Sequence, residues 1–403
     1  MRRGYSNKSV KRGLSWLRLG CFFHNFLIVS PVIVLIYVQK GISVGDFFLI
    51  EGIFRIAAFL FEIPSGYLSD CFSRRRVMIM GALFRVFGFF TLILAYGFWG
   101  LVLGEALLGI SGALFSGTLE AYTYDLMKRD KSQKHFLKEF GRIKTFGAIA
   151  NFIAVILGGI LFTDIGGNGL LWVMVAFCVL TTFSFLFLPE LSEVKRTVKH
   201  KAAIADAVSI TYRTLKNAKL RNLIIFPSLF GAFTIVLLWL MQPVMKTAQV
   251  PVSLFGFYMG ITNLSTIFFS KYAYKICAKF SEITVSVLSI GAVFMGITMG
   301  LLATHVQIMP IVYVACALMA ITRSVSMLNN LQYNTLIHHS IKSSERGTVL
   351  STRAMVATIS GAIFSIIAKF LIDDFGITAT LIVMFIMTSL LIWSLKNVSK
   401  YIK

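Results

Sequence analysis

Of 403 residues, 57 % are hydrophobic and 14 % charged, well below the roughly 25 % charge of a soluble domain. Apolar runs of about twenty residues recur along the whole chain, each long enough to cross a bilayer, which excludes a soluble globular protein. The net charge of +22 raises nucleic acid as a partner, an idea that the placement of the charges excludes.

In chain order, the basic start MRRGYSNKSVKRG precedes an apolar run over 14–38. That run is too long for the core of a signal peptide and has no small-residue cleavage site, so it is predicted to be a retained first span. Further helical spans are predicted near 47–69, 76–97, 99–127, 142–163, 169–189, 222–246, 252–274, 283–303, 306–330, 349–370 and 376–396. Most of the 39 Lys and Arg residues fall in alternate connections: the N-terminus, 70–76, 128–144, 190–221, 271–281, 338–347 and the C-terminus. The other connections hold only Lys40 and Lys246, with Lys369 at a helix end. Such a bias places the basic loops and both termini in the cytoplasm, beside anionic lipid headgroups. Positive charge therefore sets orientation, and nucleic-acid binding has no place in the account.

The expected fold class is an all-α membrane protein of twelve transmembrane helices in two six-helix bundles. Residues 1–189 and 222–403 form the bundles, and 190–221 is a basic cytoplasmic linker with a possible amphipathic segment at 201–216. The linker serves either as a plain connection or as a docking element. Five scattered cysteines without paired spacing predict neither disulfides nor a metal site. Phosphate-loop, GxSxG and HExxH motifs are absent, so no enzyme chemistry and no cofactor are expected.

Ionisable residues inside spans are costly and point to function. His24 in the first span is either a group that titrates near neutral pH or a hydrogen-bonded packing residue. Glu51, Arg55 and Glu62 in the second fall within roughly 40° of one another, a polar stripe about 16 Å tall. The stripe is either part of a transport path with a protonatable carboxylate or an ion pair that locks helices together. Arg85 and Glu105 are matched in depth, while Gly109, Gly112 and Ser116 extend the face of Glu105 as a close-packing stripe. Trp239 and Gln242 are candidates for lining a cavity. Arg323 and Asn330 share a helix face within a polar cluster, MLNNLQYN, which either meets an anionic or hydrogen-bonding substrate or sits at the headgroups.

The stretch EIPSGYLSDCFSRRR, residues 62–76, resembles the signature loop between the second and third helices of the major facilitator superfamily. Gly66, Leu68, Asp70, Arg74 and Arg75 match it, whereas Cys71 and Ser73 replace its central Arg and Gly. SGTLEAYTYD (116–125) and SERGTVLSTRAM (344–355) resemble the branch of that superfamily with an acid-Ile-Pro-small-Gly run. Two departures stand out. Glu105 occupies the place of an arginine linked to proton coupling, and Ala154-Val155 replaces the Gly-Pro of the antiporter motif in span five. The resemblance implies a monomeric secondary transporter that exposes a central site to each side in turn. It implies a small organic solute as substrate and protons as coupling ion, while the compact loops and short termini suit a bacterial inner membrane. Export is favoured, with uptake of a nutrient or metal chelate, or a sensor on the same scaffold, as alternatives. Gly66, Asp70, Arg74, Arg75 and Arg353 are implied as a conformational switch, in a charge network that includes Asp125 or Glu120.

Overall fold

The computed structural model describes residues 8–191, 209, 211–306, 308–341 and 346–401, apart from the side chains of 63, 66, 67, 69–71 and 346–348. Every regular element among these residues is helical. A lipid core cannot hydrogen-bond exposed peptide groups, and a helix satisfies its own. Among the described residues, eight helical stretches are long and apolar enough to cross a membrane.

The chain divides into two compact units, residues 1–42 with 53–196 and residues 43–52 with 197–403. The first unit begins with α1 (Lys8–His24), a 3₁₀ turn (Ser30–Val32) and α2 (Ile33–Gln39). Thus the run over 14–38, predicted as a single helix, is broken after His24. Pro31 has no N–H to donate to the Leu27 carbonyl, which accepts instead from the Ser30 N–H at 3.1 Å in the turn at the break. Next comes α3 (Val44–Cys71), whose first nine residues belong to the second unit; Pro64 lies within it. Then follow α4 (Arg74–Leu94), α5 (Gly97–Phe115), α6 (Thr118–Lys128) and α7 (Phe136–Leu186). The predicted span 99–127 is likewise split, because Gly117 takes φ 69°, a left-handed conformation open to glycine. Within α7, Gly166 has φ 67° and interrupts the helical path. In this unit α1 packs along α7, and α4 packs on α5 and α7. Its core gathers Leu14, Leu17, Tyr122, Leu126, Ile143 and Phe185.

The second unit holds α8 (Ala218–Thr247), α9 (Phe255–Lys279), α10 (Glu282–His305), α11 (Met309–Ser340) and α12 (Arg346–Ser399). Asn217 and Ser281 cap α8 and α10 by accepting from the N–H of Leu220 and Thr284, each at 3.2 Å. Gly376, at φ 81°, interrupts α12. Here α8 packs on α11 and α12, and α10 on α11 and α12. Of the predicted amphipathic segment, 211–216 is helical, while 201–208 lies outside the described residues.

Candidate functional site

In the first unit the loop before α4 is tied down by carboxylates. Arg74 pairs with Asp125 and donates to the Ala121 carbonyl at 2.8 Å. Arg75 and Arg76 meet the two oxygens of Glu190 at 3.2 and 3.4 Å, and Ser73 donates to Glu190 at 3.2 Å. Arg129 reaches the Glu190 carbonyl, and the Tyr122 hydroxyl reaches that of Pro189, both at 2.6 Å. Glu190, in the sequence only the start of the linker, is in space the acid on which Arg75 and Arg76 converge. Glu120 is solvent-exposed at the start of α6. The side chain of Asp70, and position 66, lie outside the described side chains, so the predicted partner of Asp70 is not in view.

Deeper in the same unit, His24 stacks on Phe115 with ring centroids 4.1 Å apart, and its Nε2 lies 3.3 Å from Arg85 Nη1. Its Nδ1 is buried without a partner among the described residues. The Glu105 carboxylate accepts the Tyr37 hydroxyl. Arg18, in the second half of α1, pairs at 2.6 Å with Glu139, which Arg142 meets at the same distance through its other oxygen. The signal for this group was available, since Arg18 is an arginine in an apolar run, but nothing local pointed to Glu139. Arg55 is half-buried and Glu62 exposed on α3.

The second unit carries the candidate path. Glu51 is 9 % exposed, and the Trp239 indole N–H donates to it at 3.2 Å. Phe47 packs edge-on against Trp239 at 5.7 Å, and Gln242, one turn further along α8, is fully buried. At Gly52 α3 passes beside α12, where a Cβ would make ordinary contact with the Ala362 carbonyl at 3.4 Å. At the head of α3, Ser43 and Asp46 cap one another: the Asp46 N–H donates to Ser43 Oγ at 2.9 Å and the Ser43 N–H to Asp46 Oδ2 at 3.3 Å. Lys369 on α12 bridges Asp46 and Asp373, each at 2.8 Å, and Ser43 Oγ donates to Asp373 at 3.2 Å. A Cβ at position 45 would lie 2.3 Å from Asp373 Oδ1, so a larger residue there must displace that carboxylate.

This clasp has a definite pH response. Burial pushes the Asp46 carboxyl up, but hydrogen bonds from Lys369 and Ser43 and the charge of Lys369 together hold it below its ordinary value. A carboxyl depressed in the folded state contributes stability above its unfolded pKa and loses it as pH falls through the folded value. The clasp should therefore stay closed at neutral pH and through the ordinary aspartate range near pH ~3.9, opening only in stronger acid. Lys369→Met leaves Asp46 and Asp373 facing each other with no cation. Hydrogen exchange of the amides at 43–48 should then speed up at neutral pH; unchanged protection would show that packing alone holds the helix head.

Arg323 and Asn330, predicted as neighbours on one face, are engaged separately. Arg323 donates to Ser326 on its own helix. Asn330 and Asn334 both accept from Arg353, which is 8 % exposed. Asn329, Ser286 and Tyr333 form a buried network, with Ser286 Oγ 3.1 Å from each partner. The MLNNLQYN cluster is thus largely internal to the unit, and its asparagines hold an arginine.

The profile of the Major Facilitator Superfamily matches residues 16–363. An uncharacterized transporter, BU466, of Buchnera aphidicola subsp. Acyrthosiphon pisum is 27 % identical over 57 % of this chain and 60 % of its own length. The inner membrane transport protein YajR of Escherichia coli is 29 % identical over 30 % of this chain and 26 % of its own, and the nitrite extrusion protein of Bacillus subtilis is 29 % identical over 28 % of each. The alignments thus span 60 % or less of these relatives. Among solved structures, the nucleoside transporter NupG aligns over 98 % of this chain and all of its own, with a TM-score of 0.81 at 15 % identity. The POT family transporter PepTSo aligns with a TM-score of 0.73 at 11 % identity, over 98 % of this chain and 97 % of its own. At these identities the structural likeness speaks for the fold.

Proposed function

The chain belongs to the major facilitator superfamily, a multi-pass membrane transporter and not an enzyme, and we propose that it moves a small organic solute by proton-coupled alternating access. Two of the eight apolar stretches, 133–186 and 349–399, contain the non-helical Gly166 and Gly376. Each is read as two crossings. With the broken run 8–39 and α3 this makes twelve, six before the 190–221 stretch and six after it, both termini cytoplasmic. The signature loop, with Asp70, Arg74 and Arg75, acts as the conformational switch. Export is the favoured direction, in keeping with the Bacillus relative named for extrusion, and a bacterial inner membrane is the setting.

One observation carries the coupling. Glu51 is a carboxylate in an apolar helix, nearly closed off, with a neutral indole donor on one oxygen. An ionisable residue inside a membrane span is costly and marks an ion or substrate path. Proton uptake at Glu51 would weaken its hold on Trp239 and so couple protonation to the packing of α3 on α8.

The test has two stages. A thermal-shift screen of the purified protein against metabolites, chelates and drugs finds a ligand by the stabilisation that native-state binding confers. Flux of that ligand is then followed in proteoliposomes, with and without a pH gradient, for wild type and Glu51→Gln. Gradient-driven flux should vanish in the variant while solute exchange persists. Retention of driven flux, or equal loss of both modes, would rule out Glu51 as the proton carrier.

A further inference from the structure

Outside the path, the first unit holds a cation that the transport reading does not use. Lys40 follows α2 and is only 4 % exposed. Its ammonium donates to the carbonyls of Ile93 and Ala95 at 3.0 and 3.2 Å and stands 4.9 Å from the centre of the Tyr96 ring. These contacts cap the C-terminal end of α4, whose dipole offers about half a negative charge. An ammonium has three N–H donors and a full charge, so one donor and part of the charge are left over. Among the described residues no carboxylate lies within ion-pair distance of Lys40. Burial pulls its pKa down, the response of a cation short of counter-charge.

Lys40 also lines a cavity of about 270 Å³, together with Gln39, Tyr96, Gly166, Gly167 and Asn168. Its polar side chains are rich in donors: two amides, a phenol and the ammonium, with no acid among them. Gly166, at φ 67° and ψ −178°, breaks α7 here, so the helix restarts beside the cavity and presents its positive dipole end. Gly167 is buried against Gln39, where a Cβ would lie 2.9 Å from the amide oxygen. The volume falls just below the range of drug-sized pockets and suits a small ion or a headgroup.

From the cavity, its excess of donors and its uncompensated buried lysine, we infer that the first unit binds a phosphate-type anion between Lys40, Gln39 and Asn168. The chemistry is shared by free phosphate and by the headgroup of an anionic phospholipid. It does not depend on whether Glu51 carries a proton.

The test compares melting of the full-length protein in inorganic phosphate and in chloride of equal ionic strength. A second arm compares nanodiscs containing phosphatidylglycerol with ones of phosphatidylcholine alone. Wild type should melt higher in phosphate or in phosphatidylglycerol. Stabilisation by both indicates a soluble anion, and by phosphatidylglycerol alone a lipid headgroup. Lys40→Met should abolish the shift. Because that variant also uncaps α4, Gln39→Ala/Asn168→Ala keeps the lysine and should weaken the half-saturating concentration by about tenfold, as loss of charge-assisted hydrogen bonds predicts. The inference is overturned if neither additive stabilises wild type, or if the double variant responds as wild type does.

Discussion

Gly158→Val is expected to yield no monodisperse folded protein, and Gly158→Ala to lose about 3 kcal/mol or more of stability. A Cβ built at Gly158 would lie 1.9 Å from the Ile28 carbonyl oxygen and 3.0 Å from its carbon and from Pro31 Cγ. The obstacle is backbone, and it belongs to the irregular stretch between His24 and Ser30, whose carbonyls already serve local turns. That stretch cannot retreat without pulling α1 or α2 off α7. Substitution at Gly112, where a Cβ would meet nothing within 4 Å, supplies the control and should be silent or slightly stabilising. Size-exclusion profiles and melting of detergent-extracted protein decide the matter. A Gly158→Ala protein that melts like wild type would mean that the two segments are not held so closely.

Glu139→Ala should be nearly as damaging, at about 3 kcal/mol, because it strands a charge. The Glu139 side chain is 3 % exposed and lies between Arg18 and Arg142, each at 2.6 Å. Arg142 is 53 % exposed and remains solvated without its partner. Arg18 is 24 % exposed, and its Nε already lacks an acceptor among the described residues. Removing the carboxylate therefore leaves one guanidinium half-buried and unpaired. Since the cost lies in the stranded cation, Arg18→Met/Glu139→Met should recover most of the lost stability, the non-additivity expected of a contacting pair. Equal damage in the single and double variants would show that Glu139 acts through packing.

The sequence carried what depends on local composition and spacing. Runs of apolar residues mark membrane helices because the bilayer rewards length and hydrophobicity, whatever the neighbours are. Arg74 pairs with Asp125, an acid in a motif of its own. Polar residues on one helix face were a weaker guide: Arg323 and Asn330 share a face, yet one turns to Ser326 and the other to Arg353.

Tertiary structure alone decided where the helices break and which charges meet. Gly117, Gly166 and Gly376 sit in apolar runs like many other glycines, and only the path of the chain shows which adopt positive φ. Glu51 and Trp239 are separated by 188 positions, and Arg18 and Glu139 by 121. Lys40 reads as a lone loop lysine until its burial against the end of α4 is seen. Hydrophobic partition acts on each helix by itself and so is written along the chain. Ion pairs and close glycine contacts belong to the packing of one helix on another, a relation that no single stretch of sequence contains.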